Sequence, residues 1–130
     1  MDHCDDKQEH ELWLRAKEQF SDENILLGQK MSFTVRHSLI GLLFILARYK
    51  FPAKMLRNKK KVKLLDLGCH DGLGDWLIAQ NCDIEKLVGI DFDNEAITWA
   101  KNNVANEHVE FIEGDFLGRE IFSSKMGGGL

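Results

Sequence analysis

The sequence predicts an α/β fold, a parallel sheet preceded by a helical N-terminal region. Three observations predict it. Residues 62–74, Val-Lys-Leu-Leu-Asp-Leu-Gly-Cys-His-Asp-Gly-Leu-Gly, run from a short apolar stretch through a glycine cluster into helical sequence. Residues 87–91, Leu-Val-Gly-Ile-Asp, and 109–113, Val-Glu-Phe-Ile-Glu, are further short apolar runs that each end on an acid. Helical patterning fills the gaps between them, and two successive strand–helix–strand units require right-handed crossovers and a parallel sheet.

Composition sets outer limits. The chain has 130 residues, one domain's worth, with 44% hydrophobic and 29% charged residues, as in ordinary globular proteins. The net charge of −4 argues against general nucleic-acid binding, but the charge is uneven. Residues 24–65 hold no Asp or Glu while carrying Lys30, Arg36, Arg48, Lys50, Lys54, Arg57 and a Lys-rich run at 59–63. Three cysteines without paired spacing, and no signal peptide, predict reduced thiols and a cytoplasmic location. Cys4 lies beside His3, with His10 further on, but no second ligand pair appears and no metal site is expected.

Taken in order, residues 1–61 form an N-terminal helical extension. Residues 6–20 read as an amphipathic helix with Leu12, Ala16 and Phe20 at i, i+4, i+8 and Trp13 alongside, capped by Asp5 or Asp6 and packed on the main domain. A flap over a ligand site is the alternative. Residues 21–32 read as a connector broken at Gly28, with Gln29, Met31 and Phe33 placed to line a pocket mouth. Residues 35–49 are the most apolar stretch, too short to span a bilayer, and read as a buried helix. Pro52 should kink or restart it near Phe51. The alternative for 35–63 is a membrane-surface helix with a basic face. Asn58 to Lys61 read as surface chain leading into the first strand.

Residues 62–130 form the second unit, a partial sheet domain. Val62, Leu64, Leu65 and Leu67 read as a buried strand, interrupted by Asp66. Gly68, Gly72 and Gly74 supply a turn where a ligand can approach the backbone, and the following helix presents unpaired N–H groups to an anionic group. Leu73, Trp76, Leu77 and Ala79 give that helix an apolar side, and residues 81–84 return the chain. Asp93 can cap the next helix, in which Ile97, Ala100 and Val104 share a face. Residues 106–108 turn the chain into the last strand.

With parallel strands, all three strand ends point to one edge. Asp66 with Gly68, Asp91, and Asp115 should therefore meet there, as in a nucleotide site. Asp91, about 20 residues past the turn, is where an acid hydrogen-bonds ribose hydroxyls. Asp115 is placed to accept from an adenine amino group, and Phe92 or Phe116 would flank the base.

Leu65-Asp-Leu-Gly-Cys-His-Asp-Gly, with Gly-Ile-Asp91-Phe and Glu-Gly-Asp115-Phe, resembles the class I S-adenosylmethionine-dependent methyltransferases, over roughly residues 62–116. The resemblance implies a Rossmann-like parallel sheet, the cofactor S-adenosyl-L-methionine, and methyl transfer to an acceptor such as a small molecule or sugar. It also implies that Asp66, Gly68 and the turn residues Cys69, His70 and Gly72 face the methionine part, Asp91 the ribose and Asp115 the adenine. His70 stands where the family usually has glycine, and it and Asp71 read as turn residues rather than catalytic ones. No general base is identified. The family sheet has seven strands and only three are readable here, so an incomplete fold is expected, with an exposed sheet edge at which a second chain would pair.

Two other functions fit parts of the pattern. Gly68-x-x-x-Gly72-x-Gly74 also matches an NAD-dependent short-chain oxidoreductase. However, Asp66 would crowd a pyrophosphate, and Tyr49 is followed by Ala53 where that family has Lys. A truncated, non-catalytic nucleotide-binding or interaction domain is the third reading.

Overall fold

A computed structural model describes residues 3–20, 26–115 and 117. Three helices come first: α1 (His3–Lys17), α2 (Gln29–His37) and α3 (Leu39–Leu56). They lead into β1 (Val62–Leu67), α4 (Leu73–Asn81), β2 (Ile84–Asp91), α5 (Asn94–Asn103) and β3 (Val109–Glu113). The sheet is parallel with order β1-β2-β3, so the predicted class holds.

Alternation along the strands assigns each side chain to a face. Leu87, Val109 and Phe111 look toward the helices and join Ile78, Ile97 and Ala100 in the main core. Val88, Ile90 and Ile112 form a smaller cluster on the opposite face, with Leu65 against it. Central β2 is therefore buried on both sides, which explains its unbroken run Leu-Val-Gly-Ile. Within the described residues β1 and β3 each pair only with β2. β1 is half-buried rather than buried, and Leu67 is exposed, because an edge strand has a neighbour on one side only.

Several local expectations are corrected. β2 begins at Ile84, so the return loop is shorter than 81–84. In α4 the buried positions are Gly74, Asp75 and Ile78; Leu73, Trp76, Leu77 and Ala79 are only half-buried, because α4 turns its 75/78 side to the sheet. Asp5 and Asp6 fall inside α1 and so cannot cap it. Phe20 lies beyond its end and meets Trp13 edge-on, at 5.8 Å between ring centroids. Leu12, Trp13 and Leu14 remain exposed, so they do not pack α1 on the sheet domain.

The 35–49 stretch is not a single buried helix. Ser38 ends α2, and its side chain accepts from Gly41 N at 3.0 Å to start α3. α3 runs on through Pro52 to Leu56 with no fully buried residue. Residues 29–32, expected as connector, already belong to α2. Among the caps read from sequence, Asp93 Oδ1 accepts from Glu95 N and Ala96 N at 3.0 and 3.3 Å, starting α5. Asn106 Oδ1 accepts from His108 N and Val109 N, forming the turn into β3.

Candidate functional site

The site is built on the carboxyl ends of β1 and β2. Cross-strand register sets Asp66 opposite Gly89 and Leu67 opposite Ile90. Beyond the strand, Gly68 N and Cys69 N both donate to the Ile90 carbonyl, at 2.8 and 3.1 Å. The turn is thereby fastened across the top of β2. His70 N then donates to Asp91 Oδ2 at 2.9 Å, and Asp93 N to Asp91 Oδ1 at 2.9 Å. Asp91 is 3% exposed, so in this conformation its carboxylate holds the turn and the start of the next helix together. Each oxygen has accepted one such hydrogen bond and has further acceptor capacity.

The turn explains its glycines. Gly68 has φ +80 and Gly72 φ +84, the left-handed region where a side chain costs energy. A Cβ at Gly72 would meet Phe111 at 2.6 Å, so that glycine serves close packing. A Cβ at Gly68 would meet nothing within 4 Å; the backbone there faces open space, as a site approached by a ligand requires. His70 also lies at positive φ, +56, a backbone conformation that glycine adopts at no steric cost. Its ring is held by Lys30, whose Nζ donates to Nε2.

Behind the turn lies a group of acids and phenol that the sequence reading missed. Tyr49 Oη of α3 donates to Asp66 Oδ2 at 3.2 Å. Asp75 of α4 is fully buried, and among the described residues no donor reaches either of its oxygens. A Cβ on Gly89 would fall 2.6 Å from Asp75 Oδ2, which puts this carboxyl over the strand residue that pairs with Asp66. Burial, together with a hydrogen bond and charge from Asp66, pushes Asp75 up to about 10. Asp75 is therefore held as the neutral carboxylic acid at neutral pH. Burial first, then the Asp66 and Asp75 charges, pushes the Tyr49 hydroxyl well above its usual range. Burial, with Asp75, Asp66 and Asp91 behind it, does the same to the Cys69 thiol, so neither group ionises near neutrality. Two sequence signals pointed here: a glycine inside a buried strand, which marks close approach, and an acid three residues before the buried Ile78.

Asp71, read as a solvated turn residue, is 3% exposed. It packs against Gly28 at the N-cap of α2, where the helix end favours a carboxylate. α2 is thus docked on the turn through both Asp71 and His70. Met31 is buried and lines a cavity of about 70 Å³ with Tyr49, Gly68, Cys69, His70 and Asp71. A second cavity of about 490 Å³ lies between Gln29, Lys30 and Phe33 on one side and Asp93, Ala96 and Trp99 on the other. Lys30, His70 and Asp71 border both cavities, so the expected pocket-lining role of residues 29, 31 and 33 holds.

Of the residues predicted for the site, the structure brings Asp66, Gly68, Cys69, His70, Gly72 and Asp91 together. Phe92 follows Asp91 and is 78% exposed. Asp115 is exposed one residue beyond Gly114, whose N–H donates to the Asp91 carbonyl at 2.9 Å; its own Oδ1 accepts from Leu117 N. Phe116 lies outside the described residues.

No protein-family model matches the chain, and none of the curated proteins compared with it does. Solved structures do. A methyltransferase from Thiobacillus denitrificans in complex with S-adenosyl-L-homocysteine matches at 23% identity and a TM-score of 0.49, covering 70% of this chain and 38% of that one. The YjhP protein of Escherichia coli matches at 29% identity and a TM-score of 0.47, over 55% of this chain and 31% of that one. A methyltransferase from Geobacter sulfurreducens, also with S-adenosyl-L-homocysteine, matches at 26% identity and 0.46, over 53% and 29%. The chain thus spans between 29% and 38% of the length of these three structures.

Proposed function

We propose that this chain is the cofactor-binding part of an S-adenosylmethionine-dependent methyltransferase. One observation carries the reading. A turn with an open backbone position at Gly68 is tied across parallel strand ends to two carboxylates of different character, Asp66 and Asp91. The cofactor has a cationic α-ammonium and sulfonium at one end and a ribose diol toward the other, and the residues fit both. Asp66, which accepts from Tyr49, offers its carboxylate to the methionine end. Asp91 offers its remaining acceptor capacity to the ribose hydroxyls, which reach it when the His70 turn shifts outward. Phe92, exposed at the end of β2, and Asp115 beyond β3 would serve the adenine.

When bound, the cofactor supplies an electrophilic methyl group. The protein's own contribution is positioning: orienting the cofactor and excluding water from one side. Tyr49 and Cys69 are held neutral by burial, so neither acts as a general base at neutral pH. The acceptor class we favour is a small molecule or a sugar, taken on the side lined by α2.

Calorimetric titration tests the assignment against the oxidoreductase. S-adenosylmethionine and S-adenosylhomocysteine should bind, and NAD should not. Asp91→Asn should weaken binding by about 1.5–3 kcal/mol, the worth of hydrogen bonds to a charged group. Binding of NAD alone would overturn the reading.

A further inference from the structure

We propose that the outward face of α3 docks on an anionic lipid bilayer, lying along its surface. The expectation of a buried helix fails there in an informative way. Leu39, Ile40, Leu43, Phe44, Phe51 and Met55 all point outward, with Phe44 73% and Ile40 70% exposed. At 100° per residue, Ile40, Leu43, Phe44, Phe51 and Met55 fall on one stripe. Exposed cations flank it, Arg48 on one side and Lys50 on the other, and Lys54 falls within it at the edge nearest Lys50. No described helix is long and apolar enough to cross a membrane, so a helix of this kind would lie in the interface.

Charge selects the occupant. Residues 24–65 contain no acid, in a chain whose net charge is −4. A groove of about 350 Å³ runs beside the stripe between α3 and α4. Lys50, Lys54 and Arg57 line it with Leu46, Leu77 and Asn81, and no carboxylate does. Among the described residues, neither ion pair involves these cations. A second copy of the chain would set one cationic rim against another. A nucleic acid would meet the cations and leave the phenylalanines in water. A bilayer bearing phosphatidylglycerol or a similar lipid answers both features, with hydrocarbon for the stripe and headgroup phosphate for the groove. The inference is independent of the cofactor site.

The test is sedimentation of the full chain with vesicles of phosphatidylcholine alone, and with vesicles in which about a third of the lipid is phosphatidylglycerol. The chain should sediment with the second and not the first, and high salt should release it. The double variant Lys50→Gln/Lys54→Gln should bind about 30-fold more weakly. Ile40→Ser/Phe44→Ser should abolish sedimentation. Should that variant fail to fold by circular dichroism, Phe44→Trp decides: its added fluorescence should shift blue on anionic vesicles only. Equal binding to neutral vesicles, no blue shift, or a dimer through this face that lipid does not dissociate would overturn the proposal.

Discussion

The substitution Asp75→Asn tests whether the buried Asp75 carboxyl keeps its proton in the folded chain at neutral pH. In the folded chain Asp75 is raised from 3.8 to about 10, with burial as the first cause and Asp66 as the second. The unfolded chain should release its proton near the ordinary value. Below about pH 4 both states hold the proton and the interaction stabilises fully. Above that, the unfolded chain loses the proton while the folded one keeps it. Stability should therefore fall as pH rises, until the folded group itself titrates near 10. One proton of difference is worth about 1.36 kcal/mol per pH unit. Between pH 5 and 8 the loss would be at most about 4 kcal/mol. Asparagine keeps the shape and a donor toward Asp66 but has no proton to lose. Urea unfolding of both proteins across that range reads the difference directly, because histidines and surface carboxylates are common to both and cancel. The variant should gain on the wild type steadily as pH rises. Parallel stability curves would refute a proton held on Asp75 in the folded chain.

Other perturbations follow from the same geometry. Gly72→Ala meets both a left-handed backbone and the Phe111 ring; it should destabilise by roughly 2–5 kcal/mol in the same unfolding assay. Asp93→Ala removes the α5 cap and should cost about 1 kcal/mol, a smaller midpoint shift with unchanged m-value. Cys69 is 2% exposed and its thiol is held protonated, so alkylation of the native chain at pH 8 should leave it unmodified on peptide mapping. Modification of Cys69 as fast as in urea would contradict its burial.

Much of this architecture was legible because its local signals agree. Asp93 before an apolar-periodic run, Asn106 before a strand and the strand–turn–helix at 62–74 each have one low-energy outcome. The class and the meeting of Asp66 with Asp91 followed from them. The failures were tertiary. Residues 39–47 carry an apolar run that periodicity alone reads as core, yet hydrophobicity does not say whether the partner is protein or another medium. Asp71 and Asp75 look solvent-bound by residue type. Their burial depends on Gly28 and Gly89 giving up side chains some 40 and 14 positions away, and a one-dimensional pattern does not connect such pairs. Tyr49 was weighed only as one half of an absent Tyr-x-x-x-Lys pair, whereas its hydroxyl reaches Asp66.

The most direct measurement is an amide NMR titration of the full chain with S-adenosylhomocysteine. The largest shifts should fall on Gly68, Cys69 and His70, and on Asp93, whose N–H shares the Asp91 carboxylate with that of His70. Saturating ligand that left these amides in place, or moved only residues of α3, would contradict a cofactor seated on this turn.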